Sequence, residues 1–246
     1  MNIKEVKSKK DEAEFIEATV KINSSDPNWI RPLDKDIQAI FDPEKNKYFS
    51  HGKATRWILK DEKDNLIGRV AAFINDKTAH SFEQPTGGIG FFECINDKKA
   101  AQLLFDACKD WLTKNGMQAM DGPINFGEKD KWWGLLTEGF TEPTYCSNYN
   151  PPYYKELFDS YGFQTYYEQY NYSVSTQHQV PSKFIALAQR VGRNTAYSAR
   201  HIEKNKLYQY AEDFRTIYNL GWAKHDGFKE MSKDQALALV KTIKPI

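Results

Sequence analysis

Gly87-Gly88-Ile89-Gly90-Phe91-Phe92-Glu93-Cys94-Ile95, then Asn96-Asp97, then the run from Lys98 to Lys114, is the stretch on which the fold turns. The first nine residues are apolar and punctuated by glycine, which predicts a strand. Glycines inside a strand mark strained backbone or a close approach by another group. Asp97 stands where an N-cap belongs. Beyond it Ala100, Leu104, Ala107, Cys108, Trp111 and Leu112 recur at helical spacing until Asn115-Gly116 ends the run. A short strand, residues 117–120, follows.

Upstream, residues 55–60 and 66–74 read as strands joined by the polar link 61–65, so an antiparallel hairpin is expected. Residues 10–23 carry Phe15, Ile16, Thr19 and Val20 on one stripe and predict a helix, and residues 34–41 a shorter one. Downstream, Asp121-Gly122-Pro123 turns into a long loop, 124–151, and residues 152–161 read as a helix closed by Gly162. Residues 166–174 alternate as a strand with Tyr166, Tyr170, Tyr172 and Val174 on one face. After a linker at 177–181 come a helix (182–191), a strand (195–202), a helix (206–223) and a helix (232–244) opened by a Ser232–Gln235 capping box. This order predicts an α/β protein with a mixed sheet: a first lobe over 1–176, and in 182–246 the opening elements of a second, incomplete lobe.

The composition sets bounds. With 246 residues, 40% hydrophobic and 27% charged, the chain can bury a core, and wholesale disorder is excluded. No run of about 18 apolar residues occurs, so no membrane association is expected. No secretory leader is read at the start. Cys94, Cys108 and Cys146 are odd in number and far apart, which suits reduced thiols in a cytoplasm. The net charge of +1 divides into +6 from Val180 onward and −5 before it. Two lobes with solvated faces explain that division; a basic surface that attracts a phosphate-bearing ligand is the sharper alternative. The basic residues are too sparse to expect nucleic acid as a partner. The five histidines show no metal-ligand spacing, and no Walker loop, nucleophile elbow or dinucleotide fingerprint is present.

Gly90-Phe91-Phe92-Glu93, Gly122-Pro123-Ile124-Asn125-Phe126-Gly127-Glu128, Trp132-Trp133-Gly134-Leu135-Leu136, Gly139-Phe140, Tyr149-Asn150-Pro151-Pro152-Tyr153-Tyr154 and Tyr161-Gly162-Phe163 together resemble a bacterial family of GNAT-superfamily proteins with two acyltransferase-like lobes in tandem. Arg200, Ile217-Tyr218-Asn219, Trp222, Gly227-Phe228 and Met231 resemble the opening of that family's second lobe. The resemblance implies a GNAT-like fold and transfer of an acyl group from acetyl-CoA or another acyl-CoA to a small-molecule amine. It implies too that much of the second lobe lies beyond these residues.

It also implies where the cofactor would sit in a complete site: a glycine-rich turn between the fourth strand and the next helix, whose free amides hold the pyrophosphate. Here that turn reads Asn96-Asp97-Lys98-Lys99-Ala100-Ala101. Lys99 replaces a glycine, and the Asp97 carboxylate is expected among the amides where a phosphate belongs. No acyl-CoA is therefore expected on the first lobe, although Lys98 and Lys99 are the residues that could attract its phosphates. Similarity to GNAT enzymes would place a thiolate-protonating Tyr four residues before Gly162, where Phe158 stands instead. Glu93, at the end of the glycine-rich strand, is the candidate general base for the amine; a carboxylate paired with Lys, Arg or a backbone N–H is the alternative, and the favoured one. The long loop is too aromatic for disorder. It either pins itself to the sheet or walls a substrate pocket, with Asn125, Glu128, Trp132, Trp133, Tyr149, Tyr153 and Tyr154 as the contact residues. Two functions stay open: an N-acyltransferase whose first lobe is non-catalytic, and a degenerate lobe that binds a small molecule or assembles with another chain.

Overall fold

A computed structural model describes residues 1–81, 83–225 and 230–243. The resemblance at Gly227-Phe228 and the expected helix end at Lys244 lie outside the described residues. The chain divides into two compact units, Met1–Asn171 and Tyr172–Ile246.

The first unit is a five-stranded sheet in the order β1 (Asn2–Glu5), β2 (Gly52–Lys60), β3 (Leu66–Asn75), β4 (Thr86–Cys94), β5 (Ala119–Asp121). Neighbours from β1 to β4 run antiparallel, and β4 and β5 run parallel across the helix α3 (Lys98–Lys114). Helices α1 (Lys9–Asn23) and α2 (Asp34–Ile40) fall between β1 and β2, and α4 (Tyr154–Tyr161) follows the long loop. The mixed α/β fold and the hairpin of β2 and β3 are as expected. The sequence gives no sign of β1: four residues with only Ile3 apolar become a strand because they can pair with the β2 edge, Ile3 opposite Leu59.

Each face of the sheet has its own core. On one, Leu59, Val70, Ala72, Ile89 and Phe92 meet Leu104, Phe105 and Cys108 of α3 and Leu157 and Phe158 of α4. On the other, Ile58 and Ala71 meet Phe15 and Ile16 of α1 and Ile37 of α2. β3 is buried along nearly its whole length, as a strand covered on both sides must be. α1 starts at a capping box in which Ser8 and Asp11 satisfy each other's backbone N–H.

β4 does not alternate cleanly. Its register against β3 slips between Arg69/Ala71, so one β3 residue faces two of β4, and Phe91 takes the left-handed conformation at φ 50°. The bulge resets the side-chain phase. Ile89 and Phe92 both reach the α3 core, while Phe91 packs on Phe41 and Trp132 on the opposite face. The close approach expected at the glycines is found at Gly90, where a Cβ would collide with the Ile124 carbonyl oxygen.

Two expected strands are corrected. Residues 166–174 form no strand: Tyr166, Tyr170, Tyr172 and Val174 are exposed, and alternation without a pairing edge does not make a sheet. Residues 195–202 are likewise irregular. In the second unit the described elements are α5 (Ser182–Gly192), a short 3-10 turn at Lys204–Lys206, α6 (Leu207–Trp222) and α7 (Lys233–Ile243). α6 and α7 pack through Ala211, Ala236 and Val240. The expected capping box opens α7: Ser232 N–H donates to Gln235 Oε1, and Gln235 N–H donates to Ser232 Oγ.

Candidate functional site

The bulge aims Glu93 at the face covered by α1, directly opposite Arg69 of β3. Both are buried, at 8% and 2% exposure. Arg69 Nη2 donates to Glu93 Oε1 at 3.4 Å, and Arg69 Nη1 donates to the Phe15 carbonyl at 2.9 Å. The guanidinium also lies over the Phe15 ring, 4.8 Å from its centroid. Three neutral donors complete the carboxylate: Thr19 Oγ1 on Oε1, Asn23 Nδ2 on Oε2 and the Tyr154 hydroxyl on Oε2, each at 2.8 Å. A carboxylate offers about four lone-pair sites, and all four are taken. Burial lowers the Arg69 pKa from its ordinary value, with Glu93 pushing back, and burial first and Glu93 second raise that of Tyr154 well above the usual phenol range.

A cleft of about 80 Å³ reaches this pair. Arg69, Glu93, Thr19 and Tyr154 form a hydrogen-bonded polar cluster in its lining, Ser147, Asn148 and Asn150 add further polar groups, and Trp29, Ile30, Phe91, Trp132, Pro143 and Tyr149 supply much of its apolar wall. The wall is tied in place. Asn28 Nδ2 donates to the Phe140 carbonyl, the Tyr149 hydroxyl donates to Asp26 Oδ2 at 2.7 Å, and the Trp132 N–H donates to the Cys146 carbonyl. Burial, then Asp26, pushes the Tyr149 phenol up to about 12.

Of the residues expected to contact substrate, Trp132, Tyr149 and Tyr154 line the cleft, and so does Glu93. The others are placed elsewhere. Asn125 is buried in its own turn, donating from Nδ2 to the Glu128 carbonyl at 3.4 Å. Glu128 is exposed and pairs with Lys47 at 3.0 Å. Trp133 donates from its indole N–H to the Tyr167 hydroxyl at 3.0 Å, and Tyr153 donates to the Cys94 carbonyl at 2.7 Å. Adjacent aromatics in the loop point apart, which composition cannot reveal. Sequence reasoning missed Arg69, Thr19, Asn23 and Trp29. Arg69 left a signal, the lone charge inside the otherwise apolar run Leu66–Asn75.

The turn after β4 holds the place where a pyrophosphate cradle would lie. Asp97 Oδ1 accepts from the Lys99 N–H at 2.7 Å and the Ala100 N–H at 3.1 Å, so the helix start is capped by its own carboxylate. Lys98 is paired with Glu156 of α4 at 2.7 Å, and Lys99 is exposed. The nearby strand edge is filled as well: the Cys94 N–H donates to the Tyr154 hydroxyl at 2.9 Å, and its carbonyl accepts from Tyr153. An anion would meet a carboxylate here, and an extended ligand would find the Cys94 edge taken. These residues do not fit acyl-CoA.

Among the described residues no cluster of His, Cys, Asp and Glu could hold a metal, and no helix is long and apolar enough to cross a membrane.

No protein-family model matches the chain. It is similar to a bacterial ceramide synthase of Caulobacter vibrioides (strain NA1000 / CB15N), 25% identical over 98% of this chain and 62% of that protein. It is similar also to protein YghO of Escherichia coli K12, 25% identical over 90% of this chain and 56% of that one. The chain thus spans about three fifths of the length of these curated relatives. Among solved structures, a BH1408 protein of Bacillus halodurans is 14% identical with a TM-score of 0.41, over 71% of this chain and 100% of that one. A GNAT-family acetyltransferase of Staphylococcus aureus Mu50 is 16% identical with a TM-score of 0.31, over 51% of this chain and 74% of that one.

Proposed function

We propose that these residues form the first lobe, and the opening of a second, of an acyl-CoA-dependent N-acyltransferase. In this reading the first lobe is non-catalytic. It shapes the acceptor pocket, and acyl-CoA binds outside it. The observation that carries the reading is the contrast between two neighbouring places on β4: the turn beyond it is filled by Asp97, whereas its bulge opens onto an aromatic cleft. A ceramide is a long-chain amine acylated on nitrogen, so the relative's name supports amide formation as the reaction and a small-molecule amine as the acceptor. The chemistry is attack of the neutral amine on a thioester, with loss of a proton from nitrogen. With its four sites occupied, Glu93 holds that part of the cleft in shape rather than taking that proton. The lobes are assigned as 1–176 and 182–246. Phe184, Ile185, Leu187 and Val191, each about half exposed on α5, support a helix made to lie on a sheet. The three free thiols suit a cytoplasmic protein.

Calorimetry with acetyl-CoA and a long-chain acyl-CoA, on the whole gene product that contains these residues and on the 246-residue chain, tests the reading. Binding by the former alone is expected. Binding by the 246-residue chain that is lost in Lys98→Ala/Lys99→Ala would overturn the assignment of the first lobe. If neither binds, the enzyme reading fails and a binding or assembly module takes its place; the saturated Glu93 carboxylate favours that second reading.

A further inference from the structure

The cleft reaches a pair of opposite charges that cancel, and among its described lining residues Arg69 has a buried polar atom with no partner; Asn23 Oδ1, on a residue that holds Glu93 but does not line the cleft, is unpartnered too. Arg69 Nε is buried without a hydrogen bond, while both Nη atoms of the same guanidinium are engaged. The Glu93 oxygens in the same cluster are saturated by their four donors. What this cluster lacks is therefore an acceptor for one N–H. A buried donor left unpaired costs about 1–3 kcal/mol, so a group that supplies an acceptor there gains by that mismatch. The volume, about 80 Å³, is several times the roughly 10–15 Å³ that one water needs, so a single bridging water does not fill it. Away from that cluster Trp29, Ile30, Phe91 and Trp132 give the cleft an apolar stretch, Ser147, Asn148 and Asn150 line it as well, and Ile30 keeps 51% of its surface exposed at the same cleft.

We propose that the cleft takes the uncharged, oxygen-bearing end of an otherwise apolar molecule, with a hydroxyl or carbonyl oxygen accepting from Arg69 Nε and a hydrocarbon body lying along Trp29, Ile30, Phe91 and Trp132. A carboxylate or phosphate is disfavoured because Glu93 already neutralises Arg69 and the incoming charge would lose its water. An ammonium is disfavoured because the Glu93 oxygens have no free site. The inference rests on the reading of the cleft as the acceptor pocket and adds which part of the acceptor enters it: the oxygen end, with the reacting nitrogen outside the polar cluster.

The test is titration of the 246-residue chain with 1-hexanol, hexanoate and hexylammonium at neutral pH, followed by the indole N–H resonances of Trp29 and Trp132. Saturable shifts with hexanol, at affinity about tenfold above that of either ion, are expected. Ile30→Asp, a substitution at a half-exposed position, is expected to weaken hexanol about tenfold while leaving the fold unchanged by circular dichroism. Trp133→Ala, outside the cleft, is expected to leave hexanol affinity unaltered. Hexanoate binding as tightly as hexanol would overturn the inference, and so would the absence of hexanol binding or shifts indifferent to Ile30→Asp. Hexylammonium binding as tightly as hexanol would overturn it while leaving the cleft as an amine pocket. The acyl-CoA titrations above fail or succeed independently of all these outcomes.

Discussion

The Tyr154 hydroxyl donates to Glu93 Oε2 at 2.8 Å and accepts from the Cys94 N–H at 2.9 Å, so one phenol closes both a buried carboxylate and the adjoining strand edge. Two consecutive residues of β4 are thereby fixed to α4. Tyr153 repeats the device one residue back, on the Cys94 carbonyl. The consequences of this arrangement, and of the charges around it, can be measured.

Tyr154→Phe keeps the ring packing and removes the hydroxyl, leaving the Cys94 N–H without its partner in the core. A loss of about 1–3 kcal/mol is expected in urea unfolding, larger than for Tyr153→Phe, whose partner is a carbonyl in a half-buried place. Equal and negligible losses would mean that water replaces both hydroxyls.

Glu93→Gln leaves Arg69 as a buried cation with no counter-charge. Breaking such a pair costs about 3–5 kcal/mol. The double variant Glu93→Gln/Arg69→Met is expected to recover a large part of that loss. A double-mutant cycle from chemical unfolding checks it, and strict additivity would show that the two side chains are not coupled.

Asp97→Ala removes the cap of α3 and is expected to cost about 1 kcal/mol. It also frees the Lys99 and Ala100 amides. If capping is what closes the turn to anions, phosphate should stabilise Asp97→Ala against heat more than it stabilises the parent chain. Identical phosphate responses would show that the bulk of Lys99 closes the turn.

Two groups give pH dependences of opposite sense. Asp11 is held well below the ordinary carboxylate range, first by the Lys4 ammonium and then by the Lys7 and Ser8 backbone N–H groups. A carboxyl lowered on folding contributes stability that is full above its unfolded value of about 3.9 and is lost as pH falls below it. The melting temperature should fall between about pH 4 and pH 2, and less steeply in Asp11→Asn. Tyr149, raised to about 12 by burial and then by Asp26, behaves conversely. Its contribution is full below the unfolded phenol value of about 10 and is lost as pH climbs toward 12. Absorbance titration at phenolate wavelengths should show one late-ionising tyrosine fewer in Tyr149→Phe.

Much of the first unit was legible because its signals are local. The cap at Asp97, the helical spacing through Leu112 and the polar link between β2 and β3 each specify backbone over a few residues, and the elements lie where those signals put them. The strand expected at 166–174 shows the opposite case: alternation is necessary for a strand, but pairing is decided by whether an edge is available. β1 found such an edge with a weaker pattern.

The amino-acid sequence by itself determined the glycine-rich strand, the helix behind it, the carboxylate that fills the turn between them and the aromatic character of the loop, because each depends on residues near one another in the chain. Only the tertiary structure decided that Glu93 would meet Arg69, Thr19, Asn23 and Tyr154, and that Trp132 would face the cleft while Trp133 turned away. A bulge of one residue sets which side chains share a face, and contacts between residues some sixty to seventy positions apart exist only once the sheet has closed.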